Sequence, residues 1–126
     1  MSNGFTVFET GGVRFVEGPP DRPVMRTVED AALVVETCFS NRALSALLYA
    51  ENLTEHFFDL SSGEAGAVLQ KLRNYRIRVA VVYSRDRVRF STKFGEMATE
   101  ESGTGYFRLF ESAEAAREWL SAAASL

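Results

Sequence analysis

One cysteine, one histidine and three prolines in 126 residues are scarcities that each exclude something. A single cysteine, Cys38, closes no internal disulfide. A reducing, cytoplasmic location is therefore expected. One histidine and one cysteine cannot supply the ligand sets of structural zinc, and no carboxylates stand at calcium-loop spacing. Neither a metal nor a cofactor is expected. The chain also lacks a P-loop, a G-x-G-x-x-G turn and a nucleophile elbow. A Ser–His or Cys–His pair would have to draw on His56, which stands in a polar stretch beside Phe57 and Phe58. No catalytic residue is assigned, and an enzyme is the weaker expectation. No apolar run approaches the ~20 residues of a membrane span. The opening MSNGFTVFET has neither the basic region nor the apolar stretch of a signal peptide. No membrane partner is expected.

What is present describes a globular domain. Hydrophobic residues make up 46% and charged residues 25%, with ten phenylalanines to pack a core. The length fits a single domain over residues 1–126. The net charge is −3 but unevenly placed: −6 over residues 1–70, +7 over 71–93 and −4 over 94–126. An acidic chain argues against a nucleic-acid partner. The basic middle segment either pairs with its acidic flanks or builds a local anion site.

FTVFE (5–9) and VRFVE (13–17), separated by Thr10, Gly11 and Gly12, read as a hairpin. EGPPDRPVMR (17–26) is a loop. Thr27 opens a helix with Asp30 three residues on, and Val28, Ala31, Ala32, Val35, Cys38 and Phe39 form its inward stripe. Cys38 is thus a core residue rather than a nucleophile. LSALLYA (44–50) reads as a buried strand. A second helix follows, with Ala65, Val68, Leu69, Leu72 and Tyr75 inward; Gly63 and Gly66 suggest close packing or ligand approach on it. IRVAVVY (77–83) is the clearest strand. A third helix starts near Ser91, YFRLF (106–110) is the last strand, and Ser112 caps a final helix. The order ββαβαβαβα predicts an α/β fold, a mixed sheet of about five strands covered by helices.

The stretch FFDLSSGEAGAVLQKLRNYR, residues 57–76, carries the most information. Ser61-x-x-Glu64 has capping-box spacing, which makes Ser61 the N-cap and leaves the Ser62 hydroxyl free at the first helical position. Asn74 suits a left-handed helix stop. FFDLSSGEAG, LQKLRNYR and IRVAVV, followed by EMATEESGTGYF and ESAEAAREWL, resemble a bacterial family described as domain of unknown function 4180. The resemblance covers residues 27–122 and is strongest over 57–82. It implies a compact α/β fold with no assigned reaction. More distantly, the element order resembles STAS domains of the anti-sigma-factor-antagonist type. These present Asp-Ser-Ser-Gly at the start of the second helix, where a partner kinase phosphorylates one serine. Here the string is Asp59-Leu60-Ser61-Ser62-Gly63. The resemblance implies Ser62, directly before Gly63, as the phosphoacceptor.

If strands 44–50 and 77–83 are parallel neighbours, the second helix starts at the edge where open α/β sheets bind ligands. A helix start favours anions. Asp59, Ser61, Ser62 and Gly63 would meet Arg85, Arg87 and Arg89 of the next turn there. Two functions fit. One is a non-enzymatic, STAS-like regulatory or interaction module switched by serine phosphorylation. The other is a small-ligand domain holding a phosphorylated metabolite or nucleotide at that helix start. The partners admitted are a protein, an anionic small ligand or a second copy of the chain as a homodimer.

Overall fold

The computed structural model describes residues 4–122. Strands β1 (Thr6–Thr10) and β2 (Val13–Glu17) pair antiparallel. Gly11 and Gly12 join them at φ of 59° and 82°, the two positive angles of a tight hairpin turn. Then follow α1 (Ala31–Ser40), β3 (Ser45–Tyr49), α2 (Glu64–Asn74), β4 (Arg78–Val82), α3 (Thr92–Ser102), β5 (Phe107–Phe110) and α4 (Ala113–Ala122). The expected α/β class and order hold. The sheet runs β1-β2-β3-β4-β5, with every pair after the hairpin parallel.

Each crossover steps to the next strand in the same direction. Right-handed crossovers that all advance one way place their helices on one face. Accordingly Val34 and Cys38 of α1, Val68 and Leu72 of α2 and Phe94 of α3 share a core with Val16, Ala46, Leu48, Val79, Val81 and Phe107. No strand follows α4, so no crossover constrains it. It covers the other face, where Ala116 and Leu120 pack on Phe15, Leu47 and Ala80. Alternate residues of each strand feed the two cores, as a strand's two-residue period requires.

Caps were the most legible local feature. The Ser91 hydroxyl accepts from Phe94 N–H at 3.1 Å, and Ser112 accepts from Ala115 N–H at 3.1 Å. A 3₁₀ turn, Val28–Asp30, leads into α1 behind Thr27. The Asp30 carboxylate accepts from the N–H groups of Arg26 and Thr27, which hold its pKa below the usual value.

The helix ends differ from expectation. Asn74 does not stop α2: its carboxamide oxygen accepts from Gln70, and Arg76 takes the left-handed position at φ 58°. Arg42 does the same after α1 at φ 56°. In both places the residue after the arginine, Ala43 or Ile77, donates back to Cys38 or Leu72, and the arginine donates to Phe39 or Arg73. This is the Schellman ending, whose left-handed residue is usually glycine; an L residue there costs about 1 kcal/mol. The chain turns outward at these ends, so Phe39 is 53% and Tyr75 49% exposed rather than inward. They pack edge to face on each other, 5.6 Å between ring centres. Ala32 is likewise exposed. Gly66 does not serve close packing, since a Cβ there would meet nothing within 4 Å.

Candidate functional site

The carboxyl edge of the parallel strands carries two loops, residues 50–63 after β3 and 83–91 after β4. The first is built on Asn52, which is fully buried. Its Oδ1 accepts from Tyr49 N–H at 2.7 Å, and its Nδ2 donates to the carbonyls of Pro19 and Arg22 at 2.6 and 2.9 Å. Its own carbonyl accepts from Val24 and Met25. One carboxamide therefore ties the proline loop to the end of β3. Gly18 must be glycine for the same reason, because a Cβ there would stand 2.4 Å from Asn52 Oδ1.

An aromatic cluster joins the two loops. Phe58 stacks on Phe90 at 5.5 Å and meets Phe57 and Phe94 at 5.2 and 5.3 Å; Tyr83 lies 4.9 Å from Phe90. Ser91 completes the junction: its hydroxyl accepts from Leu60 N–H and its N–H donates to the Phe58 carbonyl.

The start of α2 departs from the capping box expected at Ser61. Asp59 caps a 3₁₀ turn, Leu60–Ser62, by accepting from Ser61 N–H at 3.1 Å. Gly63 then adopts the left-handed region at φ 79°, and α2 begins at Glu64. The Ser61 hydroxyl only meets the Asp59 carboxylate, at 2.7 Å. The Ser62 hydroxyl carries the structural bonds. It lies 2.8 Å from the carbonyls of both His56 and Asp59, and accepts from Glu64 N–H at 3.1 Å. The Glu64 carboxylate in turn accepts from His56 N–H at 3.1 Å. The physical reason is Leu60. It stands between Asp59 and Ser61 as the first residue of the 3₁₀ turn that precedes the helix, and the cap moves to Asp59.

Between the loops lies a cleft of about 450 Å³. Asp59, Arg87 and Arg89 line it; Ser61, Ser62, Gly63 and Arg85 do not. Arg85 turns to Glu111 at 3.2 Å, and Arg87 meets Glu51, also in the lining, at 3.7 Å. Arg89 has no partner among the described residues. Glu51, Thr54, Glu55 and Phe58 also line the cleft, beside His56. Sequence reasoning passed over these four, whose only signal is their place just after a buried strand. The Thr54 hydroxyl is buried without a partner among the described residues. His56 is exposed and its imidazole lies 3.9 Å from Glu55. Ser62 touches its main-chain carbonyl, so the two form no hydroxyl–imidazole pair. Among the described residues no group of three or more His, Cys, Asp or Glu could hold a metal ion, and no helix is long and apolar enough to cross a membrane.

The strand order never reverses, so the sheet has no switch-point crevice of the nucleotide-binding kind. The class is an α/β domain of one mixed sheet whose carboxyl-edge cleft is made by loops alone. The chain belongs to the family described as domain of unknown function DUF4180, whose model matches residues 10–120. No curated protein and no solved structure matches it.

Proposed function

We propose that the protein is a non-enzymatic, STAS-like interaction module, with the carboxyl-edge loops as its working surface and Ser62 as its phosphorylation switch. One observation carries the reading: Ser62 is exposed to a kinase, yet its hydroxyl bonds three main-chain groups of the 56–64 loop. A phosphoserine cannot donate to the carbonyls of His56 and Asp59. It also adds about −1.5 to −2 charges close to the carboxylates of Asp59 and Glu64. Arg85 and Arg87 already face Glu111 and Glu51, and Arg89 stands in the cleft, which Ser62 does not line. Phosphorylation would thus release the loop rather than dock it, and the cleft wall at His56 and Asp59 would change with it. The element order and the string Asp59-Leu60-Ser61-Ser62-Gly63 support the STAS likeness. A phosphorylated metabolite at the start of α2 gains less support. There the carboxylates of Asp59 and Glu64 already accept from main-chain N–H groups.

Hydrogen exchange on Ser62→Asp tests the switch, with Ser61→Asp as control. Amides of residues 56–64 should exchange about fivefold faster in Ser62→Asp, as loss of about 1 kcal/mol of loop stability requires. Those of β3 and β4 should not change. A photoreactive side chain at position 89 should crosslink a protein partner in the native host, with a yield that differs between wild type and Ser62→Asp. Unchanged exchange together with unchanged crosslinking would refute the proposal.

A further inference from the structure

The opposite edge of the sheet holds a second cavity, of about 630 Å³, within the ~300–1,000 Å³ range of small-molecule sites. Four arginines line it, Arg14, Arg42, Arg76 and Arg78, and no acidic residue does. They arrive from different elements: Arg14 from β2, Arg78 from the first position of β4, and Arg42 and Arg76 from the ends of α1 and α2. Their states differ. Arg14 is engaged by Glu9 at 3.0 Å and by the Asn41 carbonyl at 3.1 Å. The Arg78 guanidinium stacks 4.0 Å above the Trp119 ring and donates through Nε to the Gly105 carbonyl at 2.8 Å. Its Nη1 is buried with no partner among the described residues. The guanidinium groups of Arg42 and Arg76 have no partner among the described residues.

Three other arginines of the basic 71–93 segment are paired: Arg73 with Glu101, Arg85 with Glu111 and Arg87 with Glu51. Arg76 and Arg78 of that segment, which have no carboxylate partner among the described residues, line this cavity together with Arg42. Two of them also occupy strained backbone. Arg42 and Arg76 are the only non-glycine residues with positive φ among the described residues, and they fill the same Schellman position at the ends of successive helices. Glycine serves the fold better at both sites. Strain held at matching positions beside a cavity points to a role other than stability.

We infer that this amino-edge cavity binds a small organic anion bearing phosphate groups, held by Arg42, Arg76 and Arg78. Planar guanidinium groups offer paired donors that match phosphate oxygens. Arg78, its Nη1 withdrawn from solvent, adds positive charge at the strand starts. Leu44, which is 58% exposed, and Tyr106 stand in the same lining and face the apolar part of the ligand. This site is separate from the carboxyl-edge cleft, and its test does not depend on the switch proposed there.

Trp119, the single tryptophan, reports on binding through its contact with Arg78. Pyrophosphate, ADP and a short RNA duplex are titrated against its emission. ADP should give a saturable change, bind more tightly than pyrophosphate, and weaken as salt rises. Arg42→Gly and Arg76→Gly should each lower ADP affinity about tenfold, the loss expected for one charge-assisted contact. Each should also keep or raise the melting temperature, because glycine relieves the left-handed strain. A misfolded variant therefore cannot mimic the result. No saturable change up to about 10 mM ADP, or wild-type affinity in both glycine variants, would overturn the proposal. So would tighter binding of the duplex than of ADP.

Discussion

At the scale of single residues, small displacements decide roles. Ser61 and Ser62 are adjacent and chemically identical, yet one hydroxyl meets only a neighbouring carboxylate while the other organises a loop. Their types and spacing were readable, but the 3₁₀ turn that separates them was not. Asn52 gives no signal at all in sequence, because its three side-chain bonds reach residues on both sides of a thirty-residue gap. Cys38 was assigned to the core from helical spacing, and it is fully buried. Burial pushes its thiol from 9.0 up to about 12. The sign follows from linkage: the folded state keeps the proton that the unfolded state releases above its own pKa. Stability from Cys38 is therefore present below pH 9 and is lost as pH rises towards 12. Wild type should lose about 1 kcal/mol more than Cys38→Ala between pH 8 and pH 10. Urea unfolding at the two pH values measures the difference, and parallel behaviour of the two proteins would contradict it.

At the scale of elements, α4 is the part whose placement most needs explanation. It covers its face of the sheet alone, and Glu17 of β2 anchors it. That carboxylate, 7% exposed, accepts two bonds from Arg117 at 2.9 Å and one from the Tyr49 hydroxyl at 2.9 Å. Burial first, then the Glu17 carboxylate, raises the Tyr49 pKa. Removing one partner of such a pair leaves a buried charge uncompensated. Arg117→Ala should cost about 2 kcal/mol, below the fully buried range because the Arg117 side chain is partly exposed. Replacing both, as Glu17→Leu with Arg117→Leu, should cost less than the single change. Denaturant midpoints compare them, and a double variant less stable than the single would show that packing, not charge, holds α4.

At the scale of the whole molecule, one sheet serves two cores. Every central strand contributes to both: β3 gives Ala46 and Leu48 to one side and Leu47 to the other, and β4 gives Val79 and Val81 against Ala80. Neither face can open without exposing strands on which the other depends. Unfolding followed by Trp119 fluorescence, which reports the α4 face, should therefore coincide with unfolding followed by far-ultraviolet circular dichroism, which reports chiefly the helices of the other face. Separate midpoints would mean that α4 detaches on its own.

The residues by themselves determined the class, the element order and most caps, because apolar periodicity, glycine pairs and Ser or Thr before a helix act over a few positions. They also determined that the middle of the chain is basic, but not where its charges go. That was decided in three dimensions. Uniform crossover direction put α1, α2 and α3 on one face and left α4 to the other. The 3₁₀ turn at Leu60–Ser62 moved the cap of α2 and reassigned two serines. The ends of α1 and α2 brought Arg42 and Arg76, thirty-four positions apart in the chain, to one cavity with Arg78. No local rule could show this convergence, because it depends on β3 and β4 lying side by side in register, Ser45 against Arg78, which only the assembled sheet imposes.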